Sequence, residues 1–384
     1  MHRRRILELL SSSLIAGIPG RAARQDRVII AGAGIIGASI AYHLARRGAR
    51  VTVLEKSRPG AGATEKSFAW INAGFAKQPR AYFELNLLGV LGWRRLCLEF
   101  GPDLKMQWGG SVRWVPSAGE AADLRSQVRN HEQWGYAAHM IEPGEITRLV
   151  PAIDPGTAAA ACFCDQEGTL DPVHALNTYL QHARQAGATV EYPCEITGIS
   201  LSGGRVRGVQ TTRGPMDTDF LVLAAGNDTP RLAAMAEVNV PLKESAGLLA
   251  HTAPFPRVLD RVAFAPGANI KQNPDGRIVT GVDFKNSTDH DTSRESGLRL
   301  LGKAQPFLHK LKDAQLETVT LGYRVLPRDD YPIVGFTRRA PNLYVAALHS
   351  GMTMSPIIGQ AAAAEILDGV TLDILAPYRP ARFA

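Results

Sequence analysis

Residues 27–55 read RVIIAGAGIIGASIAYHLARRGARVTVLE. Residues 27–31 are an apolar run of the length of a buried strand, and Gly32-Ala33-Gly34-Ile35-Ile36-Gly37 follows at once. A helical pattern then covers 35–47, with Ile40 and Leu44 on one face and Gly48 as its C-cap. A second strand is predicted over 51–54, and Glu55 ends it, 23 residues after Gly32. This is a complete βαβ unit with Gly-x-Gly-x-x-Gly at its first turn, the unit that binds dinucleotides. Gly32 permits the tight turn, Gly34 has no Cβ and admits a pyrophosphate to the backbone, and Gly37 lets the helix pack close to the strand. The helix N-terminus at Ile35 and Ile36 offers N–H groups and a positive dipole end to the phosphates. Glu55 can accept from two ribose hydroxyls, and its charge disfavours a 2′-phosphate; Lys56 beside it is placed with the cofactor-binding residues.

In a nicotinamide enzyme a second βαβ half usually follows the first. Here the chain enters a loop over 59–74 that is rich in small residues. Ala63 allows close backbone approach there, and Thr64 and Ser67 offer hydroxyls to phosphate. Four further stretches follow in order. Gly168-Thr169-Leu170-Asp171-Pro172 opens a helix before Gly187-Ala188-Thr189-Val190-Glu191, and Cys194-Glu195-Ile196-Thr197-Gly198-Ile199 comes next. Residues 220–223 form a buried strand running into Ala224-Ala225-Gly226. The fourth is a C-terminal block, Gly322-Tyr323-Arg324 through Ile333-Val334-Gly335, then His349-Ser350-Gly351-Met352-Thr353, with a helix expected from near Pro356 to about Leu367.

With these stretches, residues 27–384 resemble the D-amino-acid oxidase superfamily, nearest to its glycine/sarcosine oxidase-like and D-amino-acid dehydrogenase-like members. The resemblance implies an α/β fold: a Rossmann-type FAD-binding domain interleaved with an α+β substrate domain on an antiparallel sheet. The FAD-binding segments would be 27–85, 150–235 and 321–384, and the substrate segments 86–149 and 236–320, with strands over 111–115, 269–272 and 277–280 and a turn at Pro274-Asp275-Gly276. It further implies FAD as cofactor, with Ile196 at the adenine, Ala225 and Gly226 at the second cofactor-facing strand end, and Gly351, Met352 and Thr353 opening a helix aimed at the flavin pyrimidine. The family often has His-Gly-Gly-Met-Gly where this chain has His-Ser-Gly-Met-Thr. Covalent members attach flavin through Cys or His; Cys194 falls at the adenine end and no His lies in the 59–74 loop, so FAD is expected to be held non-covalently.

The expected reaction is oxidation of a small amine or amino acid by hydride transfer to flavin N5, giving an imine that hydrolyses. Arg324 in Gly-x-Arg resembles the family's carboxylate-binding position; the competing reading is an ion pair with Asp329 or Asp330. His349 and Lys271 are the other candidate catalytic residues, with Tyr323, Trp70 and Asn72 as pocket lining; a core histidine, a solvated lysine and a packing tryptophan are the plainer alternatives. Sarcosine-oxidase-like members activate oxygen with a lysine where this chain has Val279, which favours a dehydrogenase passing electrons to a quinone or other acceptor. Competing functions are a dehydrogenase of a non-amine substrate such as a hydroxy acid, a nicotinamide-dependent dehydrogenase and a non-catalytic flavin-binding protein.

Composition narrows the classes further. The chain has 384 residues, 45% hydrophobic, which suits two domains rather than one. Four cysteines, Cys97, Cys162, Cys164 and Cys194, make no disulfide framework, and a lone Cys-x-Cys gives no metal site. Of the formal charge of +7, residues 1–22 carry +3, leaving +4 with no basic run, so nucleic acid is not an expected partner. Residues 1–26 combine Arg3-Arg4-Arg5 with a short apolar stretch and resemble a twin-arginine signal, which implies a periplasmic protein; the alternative is a cytoplasmic enzyme with an extension. No later stretch predicts a transmembrane segment.

Overall fold

The computed structural model describes residues 25–75, 77–282 and 290–384. Residues 1–24 of the expected export signal thus lie outside the described residues. Two large sheets organise the rest. The first has six strands in the order Ile333–Phe336, Leu343–Ala347, Phe220–Leu223, Arg27–Ala31, Arg50–Leu54, Thr189–Glu191. Its neighbours run parallel except for Ile333–Phe336, which is antiparallel to Leu343–Ala347. Central strands of a parallel sheet are covered on both faces, which is why 27–31 and 220–223 read as continuous apolar runs rather than alternating ones. One face packs against helices Ile35–Ala45, Pro172–Gln185 and Gly351–Asp368. The other packs on a three-stranded antiparallel sheet, Ile196–Ser202, Arg205–Thr211 and Gly214–Asp217. Register sets Ala31 beside both Leu54 and Leu223, so three strands end together where the glycine turn begins.

The second sheet has eight strands in the order Leu316–Tyr323, Ala246–Thr252, Ile278–Gly281, Ala268–Gln272, Val262–Ala265, Ser111–Val115, Ala160–Cys164, Ala138–Ile141. All its pairs are antiparallel except Val262–Ala265 with Ser111–Val115. The expected hairpin stands at Asn273–Arg277, where Asn273 N–H bonds Arg277 O at 2.8 Å and Lys271 faces Val279.

Three boundaries differ from the sequence expectation. Strand Ala160–Cys164, expected in the first domain from 150 onward, pairs inside the eight-stranded sheet. So does Leu316–Tyr323, which crosses the expected break at 321. Helix Arg80–Phe100 runs through the expected break at 85/86 and packs on helix Gly351–Asp368; ideal Cβ atoms on Gly89 and Gly92 would lie 2.4 Å from Thr353 O and 2.6 Å from Pro356 Cβ. The last helix also starts five residues before Pro356. Proline cannot donate to the carbonyl four residues earlier, Met352 O, and that lack usually ends a helix. Here the Trp93 indole Nε1–H donates to Met352 O at 2.7 Å, so the first turn survives.

Candidate active site

The glycine turn is built to close tolerances. Gly32 has φ +104°, and an added Cβ would lie 2.5 Å from Ala224 O. A Cβ on Gly37 would lie 2.0 Å from Gly32 O, and one on Gly34 would face Thr64 Oγ1 at 3.3 Å. Helix Ile35–Ala45 has no side-chain cap from its N-cap residue Gly34. Instead Ile35 N–H donates to Thr64 Oγ1 at 3.1 Å, which leaves the Thr64 hydroxyl proton available to a ligand. Helix Gly351–Asp368 also lacks a side-chain cap, and its start meets the first helix, since a Cβ on Gly351 would lie 3.4 Å from Ile36 Cγ1. Two helix N-termini therefore open on one space, where unpaired amides and dipoles favour anionic groups.

Glu55 accepts Ala33 N–H at Oε2 (3.1 Å) and Ser57 N–H at Oε1 (3.0 Å). These bonds fix the carboxylate and leave acceptor capacity on both oxygens for a ribose. Lys56 is 3.5 Å from Asp228, and Ser67 Oγ accepts from Ala69 N–H at 3.0 Å. Ile196 is buried at the start of its strand, and Ala225 leads into Gly226 at φ +61°. Thr353 Oγ1 donates to Trp70 O (3.2 Å) and accepts from Asn72 N–H (3.3 Å), tying the 59–74 loop to the last helix. With Gly32, Gly34, Ala63, Thr64 and Met352, these residues line one cavity of about 1540 Å³; Gly37 lies beneath it as a packing glycine. Uncapped helix ends, an acid at the second strand end and a cradle that a side chain on Gly34 would fill are the features FAD requires, so the residues fit it.

The same cavity runs on to Arg324 and His349. Arg324 is half-buried; its Nη1 donates to Ser245 Oγ at 3.0 Å and to Ala246 O. Of its expected acidic partners, Asp329 pairs with Arg382 (2.7 Å) and Asp330 with Lys243 (2.6 Å). Burial, reinforced by the charges of Lys77 and Arg324, lowers the His349 pKa to about 3, so its imidazole is neutral near pH 7. Tyr323 sits at the rim, 40% exposed, and Trp70 and Asn72 line the wall.

Lys271 does not face the cavity. It is buried, with Nζ donating to Leu170 O at 2.9 Å and Thr169 Oγ1 at 3.2 Å, behind the loop that opens helix Pro172–Gln185. Burial lowers its pKa to about 7, with Asp171 and Asp275 opposing. Its candidate catalytic role is therefore replaced by an anchoring one. Val279, opposite it in the hairpin, is buried with Phe68, Leu249, Val262 and Phe264.

Three residues of this end escaped sequence reading. Lys77 is buried against the cavity, donates to Ser350 Oγ and lies 5.4 Å from the Tyr82 ring centroid. Arg113 on strand Ser111–Val115 has its guanidinium carbon 4.3 Å from the Phe75 ring centroid and 4.7 Å from that of Phe264. Behind the wall, Glu167 accepts from Trp70 Nε1 (2.8 Å), Ser111 Oγ (2.5 Å) and Tyr136 OH (3.0 Å). Burial pushes its pKa up to about 7 against those hydrogen bonds. Alternation in Ser111-Val-Arg-Trp-Val115 could have flagged Arg113, since it shares a face with Ser111 while Val112 and Trp114 enter the opposite core. Lys77 and Glu167 carry no local pattern.

Residues 27–365 match the profile of the DAO family, described as FAD dependent oxidoreductase. The glycine oxidase of Geobacillus kaustophilus is 26% identical over 91% of this chain and 95% of its own length. The 4-methylaminobutanoate oxidase (formaldehyde-forming) of Paenarthrobacter nicotinovorans is also 26% identical, over 89% of this chain, which spans only 44% of that longer protein. Among solved structures, the L-proline dehydrogenase from P. horikoshii superposes with a TM-score of 0.84 at 25% identity, covering 94% of this chain and 98% of that one. With that profile spanning most of its length and a cavity that fits the cofactor, the chain belongs to the DAO family of FAD-dependent oxidoreductases.

Proposed function

We propose that this oxidoreductase acts on a small amine or amino acid that carries a carboxylate, held at the Arg324–His349 end of the cavity. The observation that carries the reading is the continuity of one cavity from the dinucleotide fingerprint to Arg324. A guanidinium takes a carboxylate through two parallel hydrogen bonds, which would fix the reacting carbon relative to the cofactor. FAD, when bound, supplies the two-electron acceptor for the hydride of the amine-bearing carbon. The chain's own residues bind, orient and set the electrostatics. Lys77, Arg113 and Arg324 face the same space, and cations around an amine favour its neutral form, the form whose lone pair can expel the hydride. His349 adds a hydrogen-bonding group there without adding charge near pH 7. The product imine then hydrolyses in water. The names of the relatives denote glycine, 4-methylaminobutanoate and proline as substrates, all amines with a carboxylate, which supports the same class.

We also read the electron acceptor as a quinone or other carrier, because the buried, uncharged Val279 stands where oxygen-activating relatives have a lysine. One experiment tests both readings. Turnover with an artificial acceptor under nitrogen is compared for glycine, sarcosine and proline against methylamine, dimethylamine and pyrrolidine, and air is then admitted without the acceptor. The carboxylate-bearing partner of each pair should dominate, Arg324→Ala should raise its KM about 10- to 100-fold, and air should sustain little turnover. Equal turnover of the decarboxylated amines, or an unchanged KM in Arg324→Ala, removes Arg324 from the substrate; rapid turnover in air makes the enzyme an oxidase.

A further inference from the structure

Glu167 is fully buried, and no step of the reaction above uses it. Its place is set by the short antiparallel pairing of Gly168–Thr169 with Trp70–Ile71, in which Ile71 faces Gly168. Glu167 O accepts Gly110 N–H at 3.0 Å, which fixes the residue beside strand Ser111–Val115 of the eight-stranded sheet. Its carboxylate then gathers three side-chain donors. Trp70 Nε1 (2.8 Å) and Ser111 Oγ (2.5 Å) donate to Oε2, and Tyr136 OH (3.0 Å) donates to Oε1. The Tyr136 hydroxyl in turn accepts Ala73 N–H at 3.1 Å. Gly74 passes against the same group, where an added Cβ would lie 2.7 Å from Glu167 Oε1. One carboxylate thus holds Trp70, Ala73 and Gly74 to the sheet that carries Ser111.

The clamped residues end the loop whose Thr64 accepts from Ile35 N–H at the fingerprint helix and whose Trp70 and Asn72 line the cavity. Thr353 of the last helix bonds Trp70 O and Asn72 N–H, so the segment is gripped by an element of the cofactor site as well as by Glu167. Three donors suit a carboxylate, which only accepts. Once Glu167 is protonated, the Ser111 hydroxyl can turn to accept its proton. The Trp70 indole can only donate and is left with a neutral, weaker acceptor. We propose that Glu167 is a positioning residue whose carboxylate clamps Trp70–Gly74 to the eight-stranded sheet and so closes the 59–74 loop on FAD, and that protonation loosens this clamp.

The surroundings place the change near neutral pH. Burial raises the Glu167 pKa from 4.5 to about 7, while its three donors and the charge of Arg113 oppose the rise. Of the other titratable groups facing it, Tyr136 is kept protonated by burial and by the Glu167 charge, and Cys164 by the Cys162 thiol and burial. Bound FAD holds the loop in place and with it the donors, which favours the carboxylate, so FAD should be held more firmly above about pH 7 than below it. A merely structural acid would act with the opposite sign. With its folded pKa above the unfolded one, it adds stability that is lost as pH rises through about 7, so a general loosening would slow FAD release in acid.

The FAD-loaded protein is diluted at a series of pH values from about 6 to about 8.5, and the rise of free-flavin fluorescence gives the release rate. The unaltered protein should release FAD about 3- to 10-fold faster at the acid end. Glu167→Gln, a neutral mimic of the protonated acid, should release it at that faster rate throughout. The emission difference between the unaltered protein and Trp70→Phe, which isolates the Trp70 indole, should change over the same window. Lys271, two residues from the clamp through Thr169 and with a pKa also lowered by burial to about 7, is the other group that could titrate there. Release that is independent of pH or slower in acid, a pH dependence that survives Glu167→Gln, or one abolished by Lys271→Met overturns the proposal. If Glu167→Gln fails to fold, the Trp70 emission decides alone, and emission unchanged through about pH 7 overturns it.

Discussion

Gly34 and Gly37 belong to one fingerprint, yet a side chain would meet different neighbours at each. At Gly37 an added Cβ would lie 2.0 Å from Gly32 O, so its absence is a packing requirement of the turn itself. At Gly34 the nearest atom is Thr64 Oγ1 at 3.3 Å, a side-chain hydroxyl on the cavity wall, so a larger residue requires only a small shift of Thr64 but fills the space of the pyrophosphate. Gly34→Val should therefore yield folded protein that loses its yellow FAD during purification; a variant that keeps its flavin would remove Gly34 from the cofactor site. These roles were legible because they depend on sequence neighbours. Lys271 was misread for the opposite reason. Its strand was foreseen, but whether its ammonium points to the cavity or to Leu170 O depends on a loop about a hundred positions away. Arg113, Lys77 and Glu167 were missed in the same way, since their meaning comes from Phe75, Phe264, Ser350 and Tyr136, which only the tertiary fold brings to them.

The last helix illustrates how an element can outrun its local signal. Pro356 set its expected start, yet the helix begins at Gly351 because Trp93, on another helix, supplies the hydrogen bond that Pro356 cannot. That bond matters to the site, since the extra turn carries Gly351, Met352 and Thr353 at the cavity. Trp93→Phe keeps most of the ring volume and leaves Met352 O with only the weaker Ser355 hydroxyl at 3.3 Å. It should lower unfolding stability by about 1–3 kcal/mol, read as a shift of the denaturant midpoint. FAD retention should weaken with it. An unchanged midpoint would mean that the helix start does not depend on Trp93. The βαβ strands and the Asn273–Arg277 hairpin were placed to within a residue or two, because their periodicity and turn chemistry are local.

Across the whole molecule, the chain passes repeatedly between a mostly parallel sheet that holds the dinucleotide fingerprint and a mostly antiparallel sheet that lines the same cavity. The interleaved order of segments was legible from the resemblance. The strand Ala160–Cys164 and the helix Arg80–Phe100 fell on the other side of the expected breaks, because an apolar strand or helix does not announce which of two cores will bury it. The functional consequence of this arrangement is a single cavity with the fingerprint at one end and Arg324 with His349 at the other. The central claim is that the chain couples bound FAD to oxidation of a carboxylate-bearing amine across that cavity. The most direct measurement is anaerobic mixing of the FAD-loaded protein with a panel of amino acids, N-methylated amines and dicarboxylic amines, following the yellow flavin absorbance. The account predicts that carboxylate-bearing amines bleach the flavin and that the carbonyl product appears as they do; a protein that stays yellow with every amine but is bleached by a hydroxy acid, or by nothing, would contradict it.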